Sequence, residues 1–202
     1  LSALAALPRG HQDELPPVEQ VAAPSQPRFI NETMDVTQGK LAMGYRCTSK
    51  DYPAMVLANL IFGGTSNSKL FMNVREKLSL CYYASSSYAR SKNILTVSSG
   101  VETGSRDRAL EEIDRQLKAV QTGDWEDWEQ EGALQAIRSS LLSLSDSQGA
   151  LENFYLGQIA SGVHETPEEL AAELERVTKE RIVAAARTVH LDTVYFLGGR
   201  DA

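Results

Sequence analysis

The chain has 202 residues, 42% of them hydrophobic and 23% charged, with a formal net charge of -7. That length suits one large domain or two small ones, and the composition suits a globular protein with a substantial core. The acidic balance excludes a nucleic-acid binder, which needs a basic patch to neutralise phosphates. No apolar run reaches the length of a membrane span, so neither nucleic acid nor a membrane is an expected partner.

Leu1–Leu7 is apolar but has no basic flank, so it reads as the tail of a preceding helix and not as a signal peptide. The start at Leu1 instead of Met points the same way, to a piece of a longer polypeptide. Pro8, Pro16, Pro17, Pro24 and Pro27 are five of the seven prolines, and they leave no room for a helix or strand between them. Residues 1–27 are therefore expected to be a domain tail plus linker, and residues 28–202 the domain proper.

Lys40–Cys47 alternates as a strand, with Leu41, Met43 and Tyr45 on one face. Asp51-Tyr52-Pro53 opens a helix whose apolar body, Met55 to Phe62, stops at Gly63-Gly64. A short amphipathic helix, Ser68–Lys77, follows and is expected to bury Leu70, Phe71 and Val74. Leu80–Ala89 and Ile94–Val101 read as strands joined by a turn over Arg90-Ser91-Lys92-Asn93.

From Arg106 onward the period becomes helical. Ala109, Leu110, Ile113, Leu117 and Val120 form one stripe, ended by Gly123. Asp124 is expected to cap a longer helix burying Trp125, Trp128, Ile137, Leu141 and Leu144. Leu151, Phe154, Tyr155 and Ile159 mark the next helix, ended by Gly162. Thr166-Pro167-Glu168-Glu169 is a capping box with Pro at the first helical position. Thr178 starts the last helix, with Ile182, Ala185, Ala186 and Val189 inward, and Thr193–Leu197 is a closing strand. This order predicts an α+β fold: a mixed, largely antiparallel sheet with helices packed on one face.

Catalytic chemistry is conspicuously missing. His11, His164 and His190 are the three histidines. Leu15 stands where a His-x-x-Glu-His motif beginning at His11 needs its second His. Glu168 stands in the last His position of a His-Glu-x-x-His beginning at His164, and Pro167 lies inside it. No Gly-x-Ser-x-Gly, triad or phosphate loop can be assigned. No catalytic residue and no metal ligand is therefore expected in this chain. Cys47 and Cys81 lie in separate apolar runs and read as reduced thiols of a cytoplasmic protein.

Arg75 and Tyr82 remain, seven residues apart, a cation and a hydroxyl able to hold the carbonyls of a bound peptide. Taken alone they also fit a surface ion pair and a half-buried strand aromatic. The run Leu70-Phe71-Met72-Asn73-Val74-Arg75-Glu76-Lys77-Leu78-Ser79-Leu80-Cys81-Tyr82 resembles a hallmark of the C-terminal domain in the pitrilysin/insulinase peptidase family. The likeness extends through Gln38–Leu41, Asn59 with Gly63-Gly64, and Val194–Leu197. It is greatest to the paired, partly zinc-less insulinase-like proteins of Gram-positive bacteria, with Ser79 replacing the usual Gly after Arg-Glu-Lys.

The resemblance implies a processing-peptidase-like half in which Arg75 and Tyr82 bind substrate opposite a zinc site on another domain or subunit. The implied partners are a peptide or protein substrate, an N-terminal domain of the same parent chain, and a homologous partner subunit or second copy. Zinc would belong to that other domain or subunit. The competing expectation is a catalytically silent protein–protein interaction module kept for subunit pairing.

Overall fold

The computed structural model describes Ala6 and residues 21–199. The expected helix tail at Leu1–Leu7, most of the proline-rich linker and His11 lie outside the described residues. Five strands form one sheet in the order β1-β5-β2-β4-β3, comprising β1 (Arg28–Met34), β2 (Gly39–Arg46), β3 (Cys81–Ala89), β4 (Ile94–Val101) and β5 (His190–Gly199). Only the β1–β5 pair is parallel. The closing strand read from Thr193–Leu197 is therefore interior to the sheet. The α+β prediction of a mixed, largely antiparallel sheet holds.

Strand alternation decides where the helices go. Leu41, Met43 and Tyr45 of β2, Leu95 and Val97 of β4, and Val194 and Phe196 of β5 are buried. Their outward neighbours Lys40, Ala42, Ser85, Ser87, Thr96 and Ser98 are exposed. Every apolar face thus looks to one side, where it meets Met55, Leu57, Ile61, Phe62 and Ile113 in a single core.

Six α-helices are described: α1 (Tyr52–Asn59), α2 (Arg106–Thr122), α3 (Asp127–Leu142), α4 (Gln148–Ala160), α5 (Pro167–Glu175) and α6 (Lys179–Ala186). Asp51 caps α1 by accepting from the Ala54 N–H at 3.2 Å, and a two-pronged bond to Arg181 ties that cap to α6. Thr166 and Glu169 form the expected reciprocal capping box of α5. Gly123 ends α2 and Gly162 follows α4, both left-handed at φ 80° and 69°.

The structure adds one strand and corrects two helix readings. Arg28–Met34 is a strand that periodicity did not reveal, because all seven of its side chains are exposed and no alternation of burial marks it. The helical run does stop at Gly63-Gly64, through a wide-turned continuation of α1, Leu60–Gly64, beyond which Thr65 is extended. Gly63 is required by packing, since a Cβ there would fall 2.6 Å from Leu70 Cδ1 and 2.8 Å from the Ser86 nitrogen.

The helix after Gly123 starts later than expected. Glu129 accepts from the Glu126 N–H at 2.9 Å at the start of α3, so Asp124 is not the cap. Trp125 is buried just ahead of the helix, whereas Trp128 is 52% exposed. Finally, α4 does not bury its apolar face: Leu151 and Phe154 are half-buried, while Tyr155, Leu156 and Ile159 are exposed. The buried side chain on α4 is that of Gln158.

Candidate functional site

The expected site residues leave the core from two adjoining elements. Arg75 lies on Leu70–Lys77, a helix wound in wide turns, with the Leu78 N–H reaching back five residues to the Asn73 carbonyl at 3.2 Å. Such π-type windings are rare and are frequent at functional sites. Leu70 and Val74 anchor this helix in the core, as expected, but Phe71 is only half-buried. Its ring serves as a platform, with the Arg75 guanidinium carbon 4.6 Å from its centroid.

Polar contacts fix the same helix from behind. Asn73 donates to the Lys69 carbonyl at 3.1 Å and to Gln116 at 3.0 Å, and Gln116 donates to the buried Glu112 at 2.6 Å. Lys69, almost fully buried, pairs with Glu129 at 3.1 Å. Glu129 thus caps α3 and holds the base of the Arg75 helix together. These buried polar residues carry no motif, and their helical spacing in the sequence looks like solvated surface.

Tyr82 lies on β3 at a bulge. Cys81 pairs with Val101 and Tyr83 with Gly100, so Tyr82 is the extra residue, and its side chain is 61% exposed. Side chains support the displaced backbone. Arg75 Nε donates to the Tyr82 carbonyl at 2.9 Å, and the buried Ser99 hydroxyl donates to the Tyr83 carbonyl at 2.8 Å. The Tyr83 ring lies across Gly100, where a Cβ would come within 2.6 Å of it. Arg75 and Tyr82 are therefore brought together, through guanidinium and main chain, leaving the phenol free to point outward.

Arg75 Nη1 also contacts Glu76 at 3.1 Å, an exposed pair of little energetic weight. A guanidinium has five N–H donors, so donors remain for a ligand. Arg75, Tyr82, Ser79 and Glu102 border a shallow groove of about 390 Å³. Ser79, at the turn between helix and strand, has φ 50°. The left-handed turn is thus kept where the resemblance expected Gly. Burial raises the Cys81 thiol above its ordinary range, with Ser99 and Arg75 pulling the other way. It is a poor nucleophile at neutral pH.

Among the described residues no group of three or more His, Cys, Asp or Glu side chains is arranged to hold a metal ion. No helix among them is long and apolar enough to cross a membrane. His164 and His190 are both exposed.

Residues 2–137, which include Arg75 and Tyr82, match the family described as peptidase M16 inactive domain. The chain belongs to this family. The pitrilysin/insulinase resemblance read from the sequence is thereby upheld. As an M16 inactive domain it is similar to a probable inactive metalloprotease, YmfF, of Bacillus subtilis (strain 168), at 41% identity over 180 residues. That match takes in 87% of this chain and 42% of the relative. Among solved structures, a conserved protein from Enterococcus faecalis V583 superposes with a TM-score of 0.83 at 31% identity, covering 90% of this chain and 44% of that one. A peptidase M16 inactive domain from Pseudomonas fluorescens shares the fold, with a TM-score of 0.76 at 20% identity, covering 98% of this chain and 49% of that one. The chain thus spans less than half the length of these three relatives.

Proposed function

We propose that this M16 inactive domain is the substrate-gripping wall of a zinc-peptidase-like protein. Arg75 and Tyr82 hold the backbone of a peptide or protein substrate opposite a zinc site carried by another domain or subunit. One observation carries the reading: a tyrosine 61% exposed on a bulge whose carbonyl Arg75 fixes at 2.9 Å. A bulge re-aims the side chain it carries, and this one is supported by the side chains of Arg75 and Ser99. The remaining guanidinium donors and the phenol then supply hydrogen bonds to a peptide carbonyl, or to the oxyanion formed when that carbonyl is attacked.

A zinc ion held by the completing domain would supply Lewis-acid polarisation of that carbonyl and a more acidic water. The residues of this chain bind and orient the substrate. The implied companions are an N-terminal domain of the same longer protein and a homologous or identical second subunit. The two free cysteines, Cys47 and Cys81, fit a reducing cytoplasmic setting.

A second reading rests on a different surface. Leu142, Leu156 and Ile159 lie exposed on α3 and α4, which suits a module retained for pairing. The similarity to a relative described as probably inactive supports it too. Arg75→Ala and Tyr82→Phe separate the two when made in the full-length protein together with the zinc-bearing domain or subunit that completes it. The gripping role predicts lost peptide turnover with assembly intact. The pairing role predicts unchanged turnover per assembled complex, with any loss appearing as weaker assembly in sedimentation.

A further inference from the structure

The opposite end of β3 carries a second constellation that the gripping role does not use. Arg90 is eight residues along the strand from Tyr82, roughly 26 Å away at the rise of an extended chain. There the loop leaving β2, the β3–β4 turn and the end of α4 enclose a cleft of about 540 Å³, within the usual size of a small-molecule site. We propose that this cleft binds a small organic anion whose phosphate or carboxylate group sits between Lys50 and Arg90.

Arg90 is held ready for such a ligand. Its guanidinium carbon lies 3.9 Å from the centroid of the Tyr52 ring, and Nη1 contacts Glu165 at 3.2 Å. Stacking and one ion pair fix the plane while leaving other N–H donors for a planar or tetrahedral oxyanion. Lys50, exposed on another part of the lining, joins none of the ion pairs among the described residues. The Ser49 hydroxyl oxygen accepts from the Asp51 N–H at 3.1 Å, so its own proton remains available.

The lining contains Lys50 and Arg90 and no carboxylate. These two cations leave a formal positive excess over the carbonyl end of α4 and the single carboxylate of Glu165 beside Arg90. The adjacent Asp51 is already held by two bonds from Arg181. The phenols of Tyr52 and Tyr88 are uncharged at neutral pH, and burial pushes them further from ionisation.

The frame is also fixed before any ligand arrives. The Tyr88 hydroxyl donates to Asn93 Oδ1 at 2.6 Å, and the Cys47 N–H donates to the Asn93 carbonyl at 2.9 Å. Asn93 itself turns the chain at φ 49°. On the other side, the Ser49 N–H donates to Thr188 Oγ1 at 3.1 Å. Preorganised donors of this kind lower the ordering cost of binding.

The test is titration of the intact protein, at constant ionic strength, with inorganic phosphate, phenyl phosphate and benzoate, followed by calorimetry. Saturable binding tighter than about 1 mM is expected for at least one probe. Phenyl phosphate against benzoate tells a phosphate site from a carboxylate site. Lys50→Gln, a surface change, and Arg90→Gln should each weaken the binding about tenfold, the worth of one charge-assisted hydrogen bond. Arg75→Ala should leave it unchanged, which keeps the outcome independent of the gripping role. Three outcomes would overturn the proposal. They are no saturation by any probe, binding indifferent to both Lys50→Gln and Arg90→Gln, and binding abolished by Arg75→Ala. The first two would mean that Arg90 and Lys50 only balance the carbonyl end of α4 and Glu165.

Discussion

Arg75 does two jobs with one side chain, and the geometry separates them. Nε is committed to the Tyr82 carbonyl, and the planar face lies on Phe71. What remains faces the groove. Lysine in its place could not reproduce both contacts, because it lacks the planar fork. The turn that sets the spacing carries its own strain. Ser79 occupies the left-handed region at φ 50°, which costs a residue bearing a Cβ about 1–2 kcal/mol. Part of any relief is offset by the larger unfolded-state entropy of glycine. Ser79→Gly is therefore expected to stabilise the protein by about 0.5–1 kcal/mol, read as a higher urea midpoint at unchanged slope. Equal or lower stability would show that the turn holds the serine without strain. The Arg75–Tyr82 spacing was visible in the sequence because both residues lie in a short segment. The main-chain bond between them was not, because it depends on a one-residue bulge.

At the level of elements, close approach matters more than chain punctuation. Gly63-Gly64 reads in sequence as a helix stop, yet Gly63 is where the end of α1 touches β3 and the Arg75 helix together. A Cβ there would meet Leu70 Cδ1, Ser86 Oγ and the Ser86 nitrogen, all within 2.8 Å. Backbone cannot yield as a side-chain tip can, so Gly63→Ala is expected to destabilise by about 1–3 kcal/mol. Denaturant unfolding checks this, and a neutral result would mean that the two helices and β3 are free to shift apart. Elements with one buried face were legible from their periods, as in β2, α2 and α6. Those without one were not. All of β1 is exposed, so its sequence lacks alternation, and α4 shows the reverse error. Its apolar residues predicted a buried helix, whereas Leu156 and Ile159 face outward. Sequence pattern reports that a surface is apolar; it does not report whether this chain covers it.

For the molecule as a whole, the sheet is clasped at one end by Asp192. Its carboxylate accepts from Thr193 at 2.6 Å, Arg46 at 2.9 Å and Arg28 at 3.2 Å, joining β5 to β2 and to the edge strand β1. The Thr193 hydroxyl and Arg46, with a smaller share from Arg28, hold this carboxyl down at about 2, against an ordinary value near 3.9. A lowered value stabilises the fold above the unfolded-state pKa, and that stability is lost as pH falls through the folded one. Folding stability should therefore drop between about pH 4 and about pH 2, with Asp192 responsible for on the order of 1–2 kcal/mol. Arg28 is largely exposed and adds little of this. Asp51, lowered chiefly by Arg181, acts in the same direction, so Asp192→Asn should flatten the acid limb only in part. An identical acid limb in the variant would contradict the clasp.

The fold was legible at this scale because one-sided strands force one helical layer. The activity of the longer protein was not, because the chain spans 42% of the length of its B. subtilis relative. The central claim is that Arg75 and Tyr82 grip substrate for a zinc centre outside this chain. Its most direct test is single-turnover cleavage of a peptide by the completed protein carrying Arg75→Ala or Tyr82→Phe. Arg75→Ala is expected to slow cleavage by about a hundredfold or more, and Tyr82→Phe by a smaller factor, with folding and assembly unchanged. Cleavage at the unaltered rate in both variants would contradict the account.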